Sequence, residues 1–123
     1  RPLKGAVLIA PGLFPASDGR SALFSFVRSL APFVAREAFP REYALLEFVE
    51  RTRGRLNAVE QPVLVIQASR DRVVSPRGLK FIKERAKHPR SRFELIDSAR
   101  HVIVTGEEAR GVYSLCTDFL REI

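Results

Sequence analysis

Three short runs of apolar residues, each followed by small or polar residues, stand out along the chain. They lie within residues 4–12, at residues 63–66 and within residues 92–97. The first two are continuous rather than alternating, which is typical of strands buried on both faces of a parallel sheet. The run at 63–66 follows Pro62 and is β-branched at three of its four positions. The pattern therefore predicts about three parallel strands.

The segment between the first two runs has the spacing of helices. Apolar residues recur every three or four positions from 20 to 36, and a second helix is predicted from 41 to about 56. Pro32 interrupts the first pattern. Either this helix kinks near Ser29, or two shorter helices meet there.

Two further helices are predicted after the second and third strands. One runs from 77 to 88 behind Ser75 and Pro76, which supply a cap and a proline at the first helical position. The other follows Thr105 and Glu108, whose spacing matches a capping box. The apolar stripe of this last helix is formed by Val112, Leu115, Cys116, Phe119, Leu120 and Ile123. Strands that alternate with helices predict an α/β fold, with helices on both faces of the sheet and right-handed crossovers.

The first strand lacks a second neighbour. Nothing before residues 4–12 can pair with its outer edge, and an unpaired apolar edge readily pairs with another chain. We therefore expect an open edge that could dock another polypeptide or form an oligomer. One hypothesis is accordingly a noncatalytic α/β module that serves in assembly.

Two polar residues follow successive strands. Asp71 lies in a charged turn after the second strand, and His101 lies in a loop after the third, thirty residues later. Ligands bind at the carboxyl ends of parallel strands, so both side chains are placed for chemistry. Taken alone, Asp71 is explained as a turn residue that caps the next helix, and His101 as a loop histidine. Their order and flanking strands together favour an acid and base pair, in which the carboxylate orients the imidazole.

The residues that carry this pattern resemble the C-terminal part of the α/β-hydrolases, in particular the small carboxylesterases and monoacylglycerol lipases. They are Pro-Val-Leu-Val-Ile-Gln-x-x-x-Asp-x-Val-Val from Pro62, then Asp-Ser-x-x-His-Val-Ile from Asp97. Two positions depart from the family pattern, which often has glycine there. Arg100 precedes the histidine, and Ala68-Ser69 precede the acidic turn.

The resemblance implies a serine ester hydrolase with a Ser-His-Asp triad, of which this chain supplies Asp71 and His101. It implies one α/β-hydrolase portion with core segments 1–12 and 62–123 and a cap-like helical insertion at about 13–57. The nucleophile of such enzymes lies in Gly-x-Ser-x-Gly on a strand-to-helix turn. None of the nine serines has that setting. We therefore expect the nucleophile in an N-terminal half outside this chain, a small-molecule ester as substrate, and an inactive isolated fragment.

The remaining candidate residues have ordinary structural explanations. Ser17, Ser69 and Ser98 are on predicted loops and are interpreted as turn or cap residues. His88 precedes Pro89 and is interpreted as a residue that caps the C-terminus of its helix. Cys116 is the single cysteine, so it is interpreted as a buried structural thiol, and two histidines are too few to complete a zinc site with it. We expect neither a metal nor a cofactor.

The composition is typical of a globular protein without a membrane span. With 46% hydrophobic and 28% charged residues, the chain has an ordinary globular composition. No apolar run approaches the roughly 20 residues that span a bilayer, and no leader pattern is present. We therefore expect no membrane span and a cytoplasmic location.

The net charge of +7 raises the possibility of an anionic partner. The basic residues are scattered, however, and only Arg51, Arg53 and Arg55 form a close series, which a helix spreads around its axis. An anion-binding domain is therefore the weaker alternative, and nucleic acid is not expected as a partner. Abundant arginine and the absence of methionine also fit a thermophile or a GC-rich genome.

Overall fold

The three predicted strands form one parallel sheet. A computed structural model of the chain describes residues 3–14, 23 and 26–123. Within these residues the sheet has the order β1-β2-β3. The strands are β1 (Ala6–Ile9), β2 (Val63–Ala68) and β3 (Arg92–Ile96). Both pairings are parallel, with Ile9 opposite Ile66 and Ile66 opposite Glu94. Among the described residues no strand pairs with the outer edge of β1, as expected.

Helices connect the strands. They are α1 (Pro32–Ala38), α2 (Pro40–Arg55), α3 (Arg77–Lys83) and α4 (Ala109–Glu122). A helical stretch at residues 26–29 precedes α1, and a short 3-10 turn at Leu56–Ala58 follows α2. None of the helices in the described ranges is both long enough and apolar enough to cross a membrane.

The central strand β2 organises the core. All six of its residues are buried, and its five apolar side chains alternate between two clusters. Val63 and Val65 pack with residues of α3 and the 3-10 turn, including Ile82 and Leu56. On the opposite face, Leu64, Ile66 and Ala68 pack with Ile103, Val112 and Phe119. Because both faces are covered by helices, β2 needs no alternation of polar and apolar residues, which explains the continuous apolar run at residues 63–66.

Two helices meet at Pro32, as one of the two alternatives predicted. Ala31 has an extended backbone and Pro32 begins α1, because the residue before a proline is disfavoured in the helical region. Of the predicted apolar face, Val27 is buried, whereas the side chain of Phe33 is 76% exposed. The part of the predicted helix at 20–22 and 24–25 lies outside the described residues.

The predicted end of the helix after β2 is wrong. This helix, α3, ends at Lys83 rather than at His88. A hydrogen bond from the Arg85 N–H to the Ile82 carbonyl, at 2.9 Å, tightens the last turn. His88 precedes Pro89, which disfavours helical backbone there, and its Nδ1 accepts a hydrogen bond from the backbone of Arg90. His88 therefore does not cap the helix.

The predicted capping box before the last helix is also wrong. This helix, α4, begins at Ala109, and the hydroxyl of Thr105 donates to the carbonyl of Val102 instead of capping it. Gly106 between them has a φ of +91°, which interrupts helical backbone. The carboxylate of Glu108 accepts a hydrogen bond from the Ser98 hydroxyl.

The apolar stripe of α4 is present with one exception. Val112 and Phe119 are fully buried, and Cys116 packs at the edge of the same cluster. Burial raises the pKa of the Cys116 thiol, which agrees with a structural role. Leu120 was predicted to face inward but its side chain is 58% exposed. It lies roughly 80° around the helix from Val112, whereas Phe119 lies within roughly 20° of it.

Replacing Phe119 by alanine should lower the free energy of unfolding by about 3–5 kcal/mol, because it leaves a cavity in the cluster against β2. The measurement is urea denaturation followed by circular dichroism. Leu120→Ala on the same helix is the matched control, and we expect a loss of less than about 1 kcal/mol. Equal losses in the two variants would contradict this packing of α4.

Candidate active site

Asp71 and His101 lie next to each other at the carboxyl edge of the sheet. Asp71 is in the turn after β2, and His101 is in the loop after β3. Because β2 and β3 are adjacent and parallel, their following loops leave the sheet at the same end. The Nδ1 atom of His101 is 2.8 Å from Oδ2 of Asp71. The contact expected from the sequence is therefore present.

The carboxylate of Asp71 is surrounded by hydrogen-bond donors. Its Oδ1 accepts the backbone N–H groups of Val73 and Val74, at 2.8 and 3.0 Å. Its Oδ2 lies 3.1 Å from the Nε2 amide of Gln67, besides the contact with His101. The side chain has no exposed surface. A buried carboxylate with four donors is fully satisfied and is fixed in one orientation.

These contacts set the ionisation of Asp71. Burial disfavours the charged form and is the largest single influence on its pKa. The hydrogen bond from His101 and those from the backbone of Val74 and Val73 act in the opposite direction. Together they prevail, so the pKa of Asp71 lies below its ordinary value of 3.8. The group is therefore an anion at neutral pH and serves as a hydrogen-bond acceptor.

The imidazole of His101 is only partly covered, with 36% of its side chain exposed. Because the Asp71 carboxylate can only accept, the Nδ1 atom of His101 carries the ring proton. The neutral ring then has its lone pair on Nε2, which has no hydrogen-bond partner in the part of the chain that the structure describes. This nitrogen is the one that could take a proton from another group.

The loop that carries His101 is held at both of its ends. Ser98 is buried, accepts the backbone N–H of Arg100 at 3.0 Å and donates to the carboxylate of Glu108. The hydrogen bond from Ser98 lowers the pKa of Glu108, so this carboxylate remains charged. Ile103 is fully buried in the core two residues after His101. These anchors position the imidazole.

Both departures from the glycine pattern are accommodated. Ala68 is fully buried as the last residue of β2, and the Ser69 hydroxyl donates to Asp97 at 3.2 Å. Arg100 points its guanidinium toward Gly106 and Glu108, with a distance of 3.8 Å from its Nε to a carboxylate oxygen of Glu108. Neither side chain displaces the contact between Asp71 and His101.

The loop after β1 joins the site to helix α2. The carbonyl of Phe14 accepts the backbone N–H of Ser75, at 2.8 Å, in the turn that follows Asp71. The guanidinium of Arg53, near the end of α2, stacks on the ring of Phe14 with 4.0 Å to its centroid and donates to the carbonyl of Leu13. One arginine thus connects the helical segment to the rim of the candidate site.

The predicted loop serines Ser69 and Ser98 make side-chain hydrogen bonds in the described residues, and only Ser98 has a turn-type bond, from the backbone N–H of Arg100. Ser69 and Ser98 bond to neighbouring carboxylates, and Ser17 lies outside the described residues. Gln67 is the residue that the sequence analysis missed. It is fully buried and contacts Asp71. A polar amide inside an otherwise apolar strand was the available signal, because a buried polar group needs a partner.

Metal ligands do not converge in the described parts of the chain. Across residues 3–14, 23 and 26–123, no group of three or more histidine, cysteine or acidic side chains could hold a metal ion. The chemistry that the described arrangement can perform is proton transfer at Nε2 of His101, with the resulting positive charge stabilised by Asp71.

Replacing Asp71 by asparagine should destabilise the fold by about 3 kcal/mol at pH 7, because the new amide group faces the donors of Gln67 and His101. The folded pKa of Asp71 is lowered, so its stabilising effect is complete above the unfolded pKa near 3.8 and is lost as pH falls through the folded pKa. The gap between the two proteins should therefore narrow as the pH falls below about 4. Urea denaturation across this range measures it.

Asp97→Asn is the control for this pH dependence. Asp97 lies in the loop after β3, pairs with Arg70 at 3.0 Å, and its side chain is 88% exposed. A pair this exposed contributes little to stability, so its replacement should leave the pH profile unchanged. A constant gap between wild type and Asp71→Asn down to pH 2 would contradict the hydrogen bonding described for Asp71.

Comparisons with known proteins bear on the family and the fold of this chain. A family model described as serine aminopeptidase, S33, matches residues 32–108, a stretch that contains both Asp71 and His101. The crystal structure of the monoacylglycerol lipase of Paleococcus ferrophilus superposes with a TM-score of 0.74 at 14% identity. The alignment covers 98% of this chain and 60% of the lipase, so the chain spans less than two thirds of that protein's length. A comparison with curated proteins found no match.

These findings identify the family and the fold. The family match covers well over half of the chain and includes β2, β3 and both loops of the candidate site. The structural similarity extends over nearly the whole chain, and at 14% identity it concerns the fold. The open parallel sheet with helices on both faces is thus part of an α/β-hydrolase fold. The chain belongs to the serine aminopeptidase S33 family of α/β-hydrolases.

Proposed function

We propose that this chain supplies the acid and the base of a serine hydrolase that cleaves carboxylic esters. Asp71 is the orienting acid and His101 is the general base. The single observation that carries the proposal is the distance of 2.8 Å between Nδ1 of His101 and Oδ2 of a buried, fully hydrogen-bonded Asp71. An isolated loop histidine would not require such an environment.

The proposed reaction is acyl transfer through a serine. Nε2 of His101 takes the proton of the serine hydroxyl while the serine oxygen bonds to the ester carbonyl carbon. The imidazolium then gives this proton to the departing alcohol oxygen as the carbon–oxygen bond of the ester breaks. Water attacks the acyl-serine in the same way and releases the carboxylic acid. Asp71 stabilises the imidazolium in both halves of the reaction and keeps its own negative charge.

We further propose that the serine belongs to polypeptide outside these 123 residues. Among the described serines, Ser69 and Ser98 are engaged with carboxylates, and none lies in a glycine-flanked turn. The chain spans 60% of the length of the similar lipase structure, which leaves room for a nucleophile-bearing segment. The outer edge of β1, which no described strand pairs with, is a suitable place for a strand of that segment to pair.

The helical segment between β1 and β2 is proposed to cover the acyl chain as a cap. The helices α1 and α2 expose large apolar side chains, including those of Phe33, Leu45 and Phe48. Apolar surface of this kind suits a hydrocarbon chain, and the similar structure is that of a monoacylglycerol lipase. The contact of Arg53 with Phe14 keeps the segment beside the rim of the site.

The test is an assay of the hydrolase that contains these residues together with the polypeptide that carries the serine. We expect hydrolysis of p-nitrophenyl butyrate with a burst of one p-nitrophenol per site. His101→Ala should lower kcat by about 10⁶-fold and Asp71→Asn by about 10⁴-fold. The double variant should be no slower than His101→Ala, because the two residues act as a unit.

His88→Ala is the matched control, because His88 lies in a turn after α3 and bonds only locally, to the backbone of Arg90. We expect its kcat to equal that of the wild type. Amino-acid p-nitroanilides are assayed in parallel, since the family is described as one of serine aminopeptidases. Faster turnover of the anilides would overturn the ester assignment. Absence of turnover and burst with all substrates would favour a noncatalytic assembly module.

A further inference from the structure

Gln67 is a buried amide in a strand of aliphatic residues. It lies on the face of β2 that also carries Val63 and Val65, it has no exposed surface, and it stands four residues before Asp71. Its Nε2 is 3.1 Å from Oδ2 of Asp71 and 3.4 Å from the carbonyl of Val74. Both of these oxygens can only accept a hydrogen bond, so the orientation of the amide is fixed.

The two ends of the Gln67 amide differ in their hydrogen bonding. Its Oε1 is buried and has no hydrogen-bond partner among the described residues. A buried acceptor without a partner is destabilising, and an apolar side chain of the same length would avoid that cost. The favourable interactions of the amide are therefore those of Nε2, which include the hydrogen bond to Asp71.

We propose that Gln67 is a positioning residue that holds Oδ2 of Asp71 in the orientation that accepts from His101. Gln67 and His101 donate to the same oxygen, while the backbone of Val73 and Val74 holds the other one. Every neighbour of the carboxylate is then a hydrogen-bond donor. If the carboxylate of Asp71 were protonated, its O–H group would therefore find no acceptor among these neighbours. The carboxylate consequently remains charged, and the ring proton of His101 remains on Nδ1.

This role deepens the proposed function, because its consequence for catalysis rests on Asp71 and His101 acting as a pair. Three titratable or charged groups lie near the carboxylate among the described residues. His101 faces it from the loop after β3, and the flanking Arg70 and Arg72 lie in the same turn. Arg70 is engaged with Asp97. The amide of Gln67 is uncharged and donates to the same carboxylate from the buried strand β2.

The test is nuclear magnetic resonance of the protein and its Gln67→Met variant. Methionine has a similar length, fits an apolar core and lacks the donor. The Asp71 carboxyl carbon is followed against pH, and the ring nitrogens of His101 report the tautomer. We expect the pKa of Asp71 to rise by about one unit in the variant, the equivalent of one lost hydrogen bond. We also expect the share of His101 protonated at Nδ1 to fall.

Val65→Ala is the matched control, because it lies on the same face of β2 and belongs to the neighbouring apolar cluster. Its melting temperature should fall, but the pKa of Asp71 and the tautomer of His101 should stay as in the wild type. An unchanged pKa and tautomer in Gln67→Met would overturn the proposal. If Gln67→Met does not fold, Gln67→Asn, which withdraws the amide by one methylene, is measured with the same expectations.

The readout also separates this proposal from the proposed function. The titration of Asp71 is measured without substrate. A shifted pKa in a protein that hydrolyses no ester would support the role of Gln67 and overturn the ester hydrolase. An unshifted pKa in an active enzyme would overturn the role of Gln67 alone.

Discussion

The buried carboxylate of Asp71 is the constraint on which the rest of the site depends. A charge without water must be compensated, and here four donors from three directions do so: two backbone N–H groups, the amide of Gln67 and the imidazole of His101. Each donor lies on β2 or on a loop that directly follows β2 or β3, so the sheet determines its position. The adjacency of β2 and β3 is therefore as necessary to the site as the polar residues themselves.

The same constraint explains why the loop after β3 is anchored so firmly. The imidazole of His101 is only partly enclosed, with 36% of its side chain exposed, so its position depends on the backbone that carries it. The hydrogen bonds of Ser98, together with the burial of Ile103, provide that support on either side of His101. Two carboxylates thus have separate tasks in one small region. Asp71 accepts a hydrogen bond from the imidazole of His101, and Glu108 accepts one from Ser98 in the loop that carries it.

The sequence was sufficient for those features that depend on local pattern or on the order of elements. The continuous run at 63–66 predicted a doubly covered strand, and the loops after parallel strands predicted that Asp71 and His101 meet. It was insufficient where a distant partner decides. Thr105 and Glu108 have the spacing of a capping box, but the Ser98 hydroxyl, ten residues earlier, engages the carboxylate. The spacing of apolar residues places Leu120 in the stripe of α4. The sheet covers a side of this helix that does not include Leu120, which is therefore exposed.

The stacking of Arg53 on Phe14 has a mechanical consequence. The ring lies under the guanidinium of α2, and its own backbone carbonyl holds the N–H of Ser75. Phe14 therefore contacts both α2 and the turn that also contains Asp71. The end of α2 and the turn after β2 are thus held against opposite parts of one residue, the ring and the backbone of Phe14, which fixes the spacing between the helical segment and the edge of the sheet.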